Sequence, residues 1–181
     1  MSKPAKKVDL KSKVRRIPEF KGVVFWDITT LLKDKNSLHE SIKQLSDHFR
    51  NVSIDLVVSN EARGFIIGAA VAYELGVGFV PIRKKGKLPY KCVELEYEKE
   101  YEADVIEIHE DALVKGQKVL LIDDLLATGG TMKANIELIE KLGGEVVGVG
   151  FLIELGYLKG REILDKKYNL FSLIQLQTTD G

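Results

Sequence analysis

The sequence predicts an α/β domain built on a mainly parallel, twisted sheet with helices on both faces. Three observations carry that expectation: four short runs rich in β-branched residues, helical patterns lying between them, and glycine or polar residues at the junctions. Strands that alternate with helices imply right-handed crossovers. Near-continuous apolar strands imply burial on both faces.

Each element has its own signal. Val14, Ile17 and Phe20 give the first 20 residues enough apolar surface to dock as a small cap. From Leu38 through Leu45 apolar residues recur three and four apart, the spacing of a helix face. Ile54–Val58 reads as a strand; Gly64–Leu75 is an alanine-rich helix closing at Gly76; Gly78–Ile82 is the next strand. Residues 83–104 lack a regular apolar pattern, but Val93, Leu95 and Tyr97 alternate with acids as an exposed hairpin does. A loop this long inside a compact domain is usually functional. Lys118–Ile122 is a strand, Met132–Leu142 an amphipathic helix stopped by Gly143-Gly144, and Val146–Ile153 a further strand. With no repeat and no linker, residues 1–181 read as one domain.

Composition narrows the function classes. The chain has 181 residues, 45% hydrophobic and 30% charged, with 27 basic and 27 acidic side chains. No apolar run approaches the length of about 20 residues needed to cross a bilayer, and no apolar stretch follows the basic amino terminus as in a secretory signal. The single cysteine, Cys92, makes no internal disulfide and no cysteine-rich metal site, which suits a reducing cytoplasm. Charge is unevenly spread. Residues 1–16 hold seven bases and one acid, Arg83 to Lys91 form a basic cluster, and residues 94–111 hold nine acids and one base. Short basic clusters neighboured by acid do not make a nucleic-acid footprint, so neither nucleic acid nor membrane is an expected partner.

The chemistry concentrates in the stretch from Val119 to Met132. A buried strand is followed by two carboxylates, Asp123 and Asp124, then by Ala127, Thr128, Gly129, Gly130 and Thr131, and then by a helix. Backbone N–H groups at a helix amino terminus, beside glycines that let a ligand approach, form a phosphate site. Carboxylates beside a phosphate need another partner, and the vicinal hydroxyls of a ribose supply one. Together they describe a site for a 5-phosphoribosyl group. The Gly-Lys-Ser/Thr of a nucleoside triphosphate loop is absent.

Asp123–Thr131 resembles the 5-phosphoribosyl-1-pyrophosphate (PRPP) signature of the type I phosphoribosyltransferases. With Glu61-Ala62-Arg63-Gly64-Phe65 and Arg83-Lys84-Lys85-Gly86-Lys87-Leu88-Pro89 in order, the chain is similar to the adenine-using branch of that family from about Ile17 onward. The resemblance implies the family's sheet with a small hood and a flexible catalytic loop, here residues 83–108. Residues 1–30 supply the cap and the base-binding segment. It also implies the reaction: adenine and PRPP give AMP and pyrophosphate, with Mg2+, in a purine-salvage homodimer.

Carried over position by position, Ala127 to Thr131 hold the 5′-phosphate and Asp123 and Asp124 the ribose hydroxyls. Glu61, Ala62 and Arg63 form the pyrophosphate loop, with Lys87 reaching the same group. No metal ligand is assigned to the protein directly. A glutamate in the hood assists proton removal from the purine. Glu96 sits in a literal Leu-Glu-Tyr triplet, whereas Glu100, followed by Tyr101, sits at the family interval from both flanking motifs; the interval favours Glu100. Val24, Phe25 and Trp26 match the segment that binds adenine through backbone groups and an aromatic ring. Trp26 stands where the family has arginine, and Phe20-Lys21-Gly22 is about two residues shorter than usual. A Trp26→Arg change is therefore expected to leave the fold intact. Two alternatives stay open: transfer to hypoxanthine, guanine or xanthine, and a non-catalytic PRPP-sensing regulator.

Overall fold

The computed structural model describes residues 8–98, 103–164 and 166–180. Its centre is a seven-stranded sheet of β3 (Leu56–Asn60), β4 (Gly78–Lys84), β5 (Cys92–Glu98), β6 (Ala103–His109), β7 (Lys118–Leu126), β8 (Glu145–Leu155) and β9 (Leu170–Leu176), in the order β5-β6-β4-β3-β7-β8-β9. The β4-β3-β7-β8-β9 portion is parallel; β6 joins β4, and β5 joins β6, antiparallel. Strands β1 (Arg15–Phe20) and β2 (Val23–Asp27) form a separate antiparallel pair. Helices α1 (Thr29–Leu32), α2 (Lys35–Phe49), α3 (Arg63–Leu75) and α4 (Gly130–Lys141) complete the fold.

The central strands feed two cores. Leu120 and Ile122 of β7 face the core that holds Phe49, Ile67 and Val71 from α2 and α3, while Val119 and Leu121 face the core that holds Ile136 and Ile139 from α4. Alternation between two covered faces is why β7 reads as an unbroken apolar run. Helix α2 is opened by Asp34, whose carboxylate accepts the Ser37 N–H at 2.8 Å. Helix α3 closes on Gly76 at φ +72°. Phe49 lies against β8 where side chains are missing: a Cβ on Gly148 would meet its ring at 2.8 Å, and one on Gly150 at 3.0 Å.

Three elements differ from expectation. β7 runs four residues further than the apolar pattern, to Leu126, because Asp123, Leu125 and Leu126 keep pairing with Phe151, Ile153 and Glu154 of the long β8. The hairpin is not an exposed one on its apolar side. Val93, Leu95 and Tyr97 are partly buried against the α4 core, and β6 extends the main sheet through Arg83 and Lys84 of β4. Strand β9 has no counterpart among the expected elements. The amino-terminal cap is the β1–β2 pair, with Val14 packed on the first core and Phe20 left exposed.

Candidate active site

A cleft of about 460 Å³ opens at the carboxyl ends of β3 and β7, the position at which parallel sheets bind ligands. Its floor is the end of β7. Asp123 and Asp124 line it, and the Asp124 N–H donates to Oδ1 of Asp123 at 2.8 Å. Burial, and then the adjacent Asp124 charge, push the Asp123 carboxyl well above its ordinary pKa. Burial raises Asp124 as well, opposed by the Arg63 guanidinium. The pair therefore has a strong appetite for hydrogen-bond donors. Asp123 is approached closely by the start of α3, where a Cβ on Gly64 would lie 2.6 Å from its Oδ1.

Ala127, Thr128, Gly129 and Thr131 form the adjoining wall, and Gly130 begins α4. The first-turn N–H groups of a helix have no intrahelical partners, and the dipole places positive potential there. Gly129 sits at φ +88°, a conformation that turns the chain into the helix and that L side chains rarely adopt. Thr131 is within 3.3 Å of the Tyr97 hydroxyl, linking the loop to the hairpin.

Opposite the loop lies the turn from β3 into α3. Asn60, Glu61, Ala62 and Arg63 all line the cleft, and the Glu61–Ala62 peptide is cis. Oε2 of Glu61 accepts from Nε of Arg83 at 2.9 Å and its Oε1 accepts the Lys84 N–H at 3.1 Å. Glu61 thus tethers the turn to β4. Arg63 reaches across the cleft: Nη2 is 2.8 Å from Oδ2 of Asp124, and the guanidinium carbon lies 5.0 Å from the Phe25 ring centroid.

The residues expected at the base divide. Phe25 is half-buried, between Arg63 and the Phe20 ring 5.1 Å away. Val24 packs on the first core, and Trp26 is 6% exposed inside that core, so its side chain is a packing element. The expectation that Trp26→Arg spares the fold therefore requires that an arginine carry its guanidinium out of this core or find partners within it. None of the three lines the main cleft.

Lys87 also lies outside the cleft lining. It sits on a turn after β4 held by the buried Glu107, whose Oε1 accepts the N–H groups of Lys87 (2.9 Å) and Leu88 (2.8 Å). Burial opposes ionisation of Glu107, but backbone donors from Gly86, Leu88 and Lys87 outweigh it and lower its pKa. An acid inside the apolar run Val105-Ile106-Glu107-Ile108 was the signal for this role. Lys84, Asp104 and Tyr97, to which the sequence assigns no role in the site, also line the cleft, and Lys84 pairs with Asp104 at 3.3 Å. Glu96 is exposed on β5; Glu100 and Tyr101 lie outside the described residues.

Among the described residues no three His, Cys, Asp or Glu side chains converge on a metal position, and no helix is long and apolar enough to cross a membrane. Comparison with known proteins bears on the same region. Residues 27–180 match the model of the phosphoribosyl transferase domain. The adenine phosphoribosyltransferase of Alkaliphilus metalliredigens is 56% identical over 170 residues, which are 93% of this chain and 99% of that protein. A crystal structure of the enzyme of that name from Thermoanaerobacter pseudethanolicus superposes with a TM-score of 0.89 at 49% identity, covering 93% of this chain and 98% of the other. The Saccharomyces cerevisiae adenine phosphoribosyltransferase, solved with an imino-altritol bisphosphate and adenine, superposes at 0.84 with 38% identity over 91% and 96% of the two chains.

Proposed function

The chain belongs to the adenine phosphoribosyltransferases of the type I phosphoribosyltransferase family, and from that membership we propose how its own residues carry the reaction. The enzyme transfers the 5-phosphoribosyl group of PRPP to adenine, giving AMP and pyrophosphate.

The observation that carries the assignment of roles is the meeting of three groups in one cleft: the acids Asp123 and Asp124, the amino-terminal turn of α4, and Arg63. Ala127, Thr128, Gly129, Gly130 and Thr131 receive the 5′-phosphate through backbone N–H and hydroxyl donors. Asp123 and Asp124 accept from the ribose hydroxyls. Glu61 and Ala62 shape the turn that presents Arg63 to the pyrophosphate, and Lys87 meets that group from the Glu107-held turn.

The bond from C1′ to the pyrophosphate oxygen breaks with its electron pair leaving on pyrophosphate, and a purine nitrogen forms the new bond to C1′. The purine proton goes to a hood glutamate, Glu100 in our reading, with Tyr101 beside it. Positive charge that builds on the ribose ring is offset by the buried carboxylates, and negative charge on the leaving group by Arg63 and Lys87. Adenine is met by backbone groups of Val24, Phe25 and Trp26 and by the Phe25 ring.

Mg2+ fits this arrangement as a companion of the substrate. Two buried acids with raised proton affinity can hold hydroxyls at the edge of a metal-bound diphosphate without forming a cage. When bound, the ion neutralises diphosphate charge. A homodimer, the family's assembly, completes the proposal.

The deciding experiment gives the purified protein PRPP, Mg2+ and each purine base in turn and follows nucleotide formation. AMP from adenine alone is the expected result. A different preferred base would overturn the specificity, and no product from any base would overturn catalysis.

A further inference from the structure

Behind the Ala127–Gly129 loop stands a segment that no step of the chemistry uses. After β8 the chain makes two single 3-10 turns, Gly156–Leu158 and Gly160–Ile163, joined by Lys159 in a left-handed conformation at φ 55°. The second turn lies directly on the loop. A Cβ built on Gly160 would sit 2.1 Å from the Ala127 carbonyl oxygen and 2.9 Å from the Gly129 nitrogen. Reciprocally, a Cβ on Gly129 would sit 2.5 Å from the Gly160 carbonyl oxygen and 2.8 Å from Cγ1 of Ile163. Main chain rests on main chain, so no side-chain rotation can relieve a change on either side.

The turn is itself held. Arg161 donates to Glu154 through two forked bonds, Nε to Oε1 at 3.0 Å and Nη2 to Oε2 at 2.6 Å. It also reaches the Leu170 carbonyl and the Ser172 hydroxyl on β9, each at 3.3 Å. Glu154 is 7% exposed at the end of β8, and the Arg161 bonds hold its carboxyl below the ordinary carboxylate range. Leu164 buries the far end of the turn in the α4 core. Glu154 is buried while the Arg161 side chain is partly exposed, and such an ion pair is weak evidence for stability, because desolvation offsets attraction; its stronger use is to fix geometry. Neither Glu154 nor Arg161 lines the cleft.

We infer that Gly160 and the Glu154–Arg161 pair form a brace that sets the shape of the Ala127–Gly129 loop, making Gly160 and Arg161 positioning residues for the phosphate end of the substrate. This rests on the reading that the loop takes the 5′-phosphate. A misplacement of about 1 Å in such a loop costs about a hundred-fold in binding or rate.

The test separates the two ends of PRPP. Affinities for ribose 5-phosphate and AMP, which carry the 5′-phosphate, are compared with the affinity for inorganic pyrophosphate in Gly160→Ala, Arg161→Lys and Arg161→Gln, each checked for its melting temperature. Thr131→Val serves as the control within the loop. In Gly160→Ala and Arg161→Gln, ribose 5-phosphate and AMP should weaken about ten- to hundred-fold, KM for PRPP should rise, and pyrophosphate should bind as before. Arg161→Lys, which keeps the charge but loses the fork, should fall between. Equal loss of pyrophosphate, or folded Arg161 variants with unchanged ribose 5-phosphate affinity, would overturn the brace. If Thr131→Val also leaves ribose 5-phosphate unaffected, the phosphate assignment itself fails. Should Gly160→Ala not fold, the Arg161 variants decide.

Discussion

Nη2 of Arg63 lies 2.8 Å from Oδ2 of Asp124, so the cation assigned to pyrophosphate and an acid assigned to ribose neutralise one another across the cleft. The same guanidinium lies over the Phe25 ring at 5.0 Å. One side chain, at the start of α3, therefore links Asp124 to the Phe25 ring.

Removing that side chain should affect more than one ligand. Arg63→Ala is expected to lower kcat/KM for PRPP about 100- to 1000-fold, the scale of deleting one preorganised donor to developing charge. It also leaves Asp124 without the neighbour that opposes its burial, so the Asp124 pKa rises further. Steady-state kinetics across pH should show the acidic limb moving to higher pH. An unshifted limb would separate Arg63 from Asp124.

Asp123 sets function against stability. A carboxyl whose native pKa stands above its ordinary value of 3.8 favours the fold most below that value and loses the contribution as pH rises through the native pKa. As pH rises above that value, the buried Asp123 carboxyl is thus an increasing cost to the fold. Asp123→Asn should raise stability by about 1 kcal/mol, a melting shift of about 2–4 °C for a chain of this size, while reducing turnover. Thermal melts at pH 5 and pH 8 check the sign, because the gain must be larger at pH 8.

The hood holds a choice between two glutamates. Glu96 is exposed on β5 opposite Val105, whereas Glu100 lies outside the described residues. Glu100→Gln should lower kcat about 100-fold, within the range of general acid–base contributions, and Glu96→Gln should lower it little. The reverse result would move the proton acceptor four residues towards the amino terminus.

Trp26 and Phe25 should respond differently although they adjoin. Trp26→Arg removes a buried ring from the first core and should lower the melting temperature, by an amount set by how far the guanidinium can reach water or partners. Trp26→Phe should cost only the packing lost by the smaller ring, about 1–2 kcal/mol, since the buried indole Nε1 has no hydrogen-bond partner among the described residues to lose. Phe25→Ala should instead raise the adenine KM with a smaller effect on melting. Chemical denaturation alongside adenine saturation curves distinguishes these outcomes.

Local patterns in the sequence specify the α/β class, the succession of β3, α3, β4, β7, α4 and β8 along the chain, and the cluster of acids, glycines and threonines from Asp123 to Thr131. Those features are local: apolar periodicity follows from which faces are covered, and a phosphate loop must follow its strand directly and open its helix. Glu61, Ala62 and Arg63 were legible through the resemblance of Glu61-Ala62-Arg63-Gly64-Phe65 to the family's string, and the fold places them on the turn from β3 into α3.

What joins distant segments emerges only in the folded chain. Trp26 and Val24 show nothing in their own neighbourhood to reveal that the first core covers them. Glu107 becomes an acceptor for Lys87 and Leu88 only because β6 pairs with β4. Gly160 meets Ala127 because β9 and the Glu154–Arg161 pair fold the chain back behind the loop. Contacts between segments distant in the chain depend on how the two cores fill, and no pattern within either segment records that.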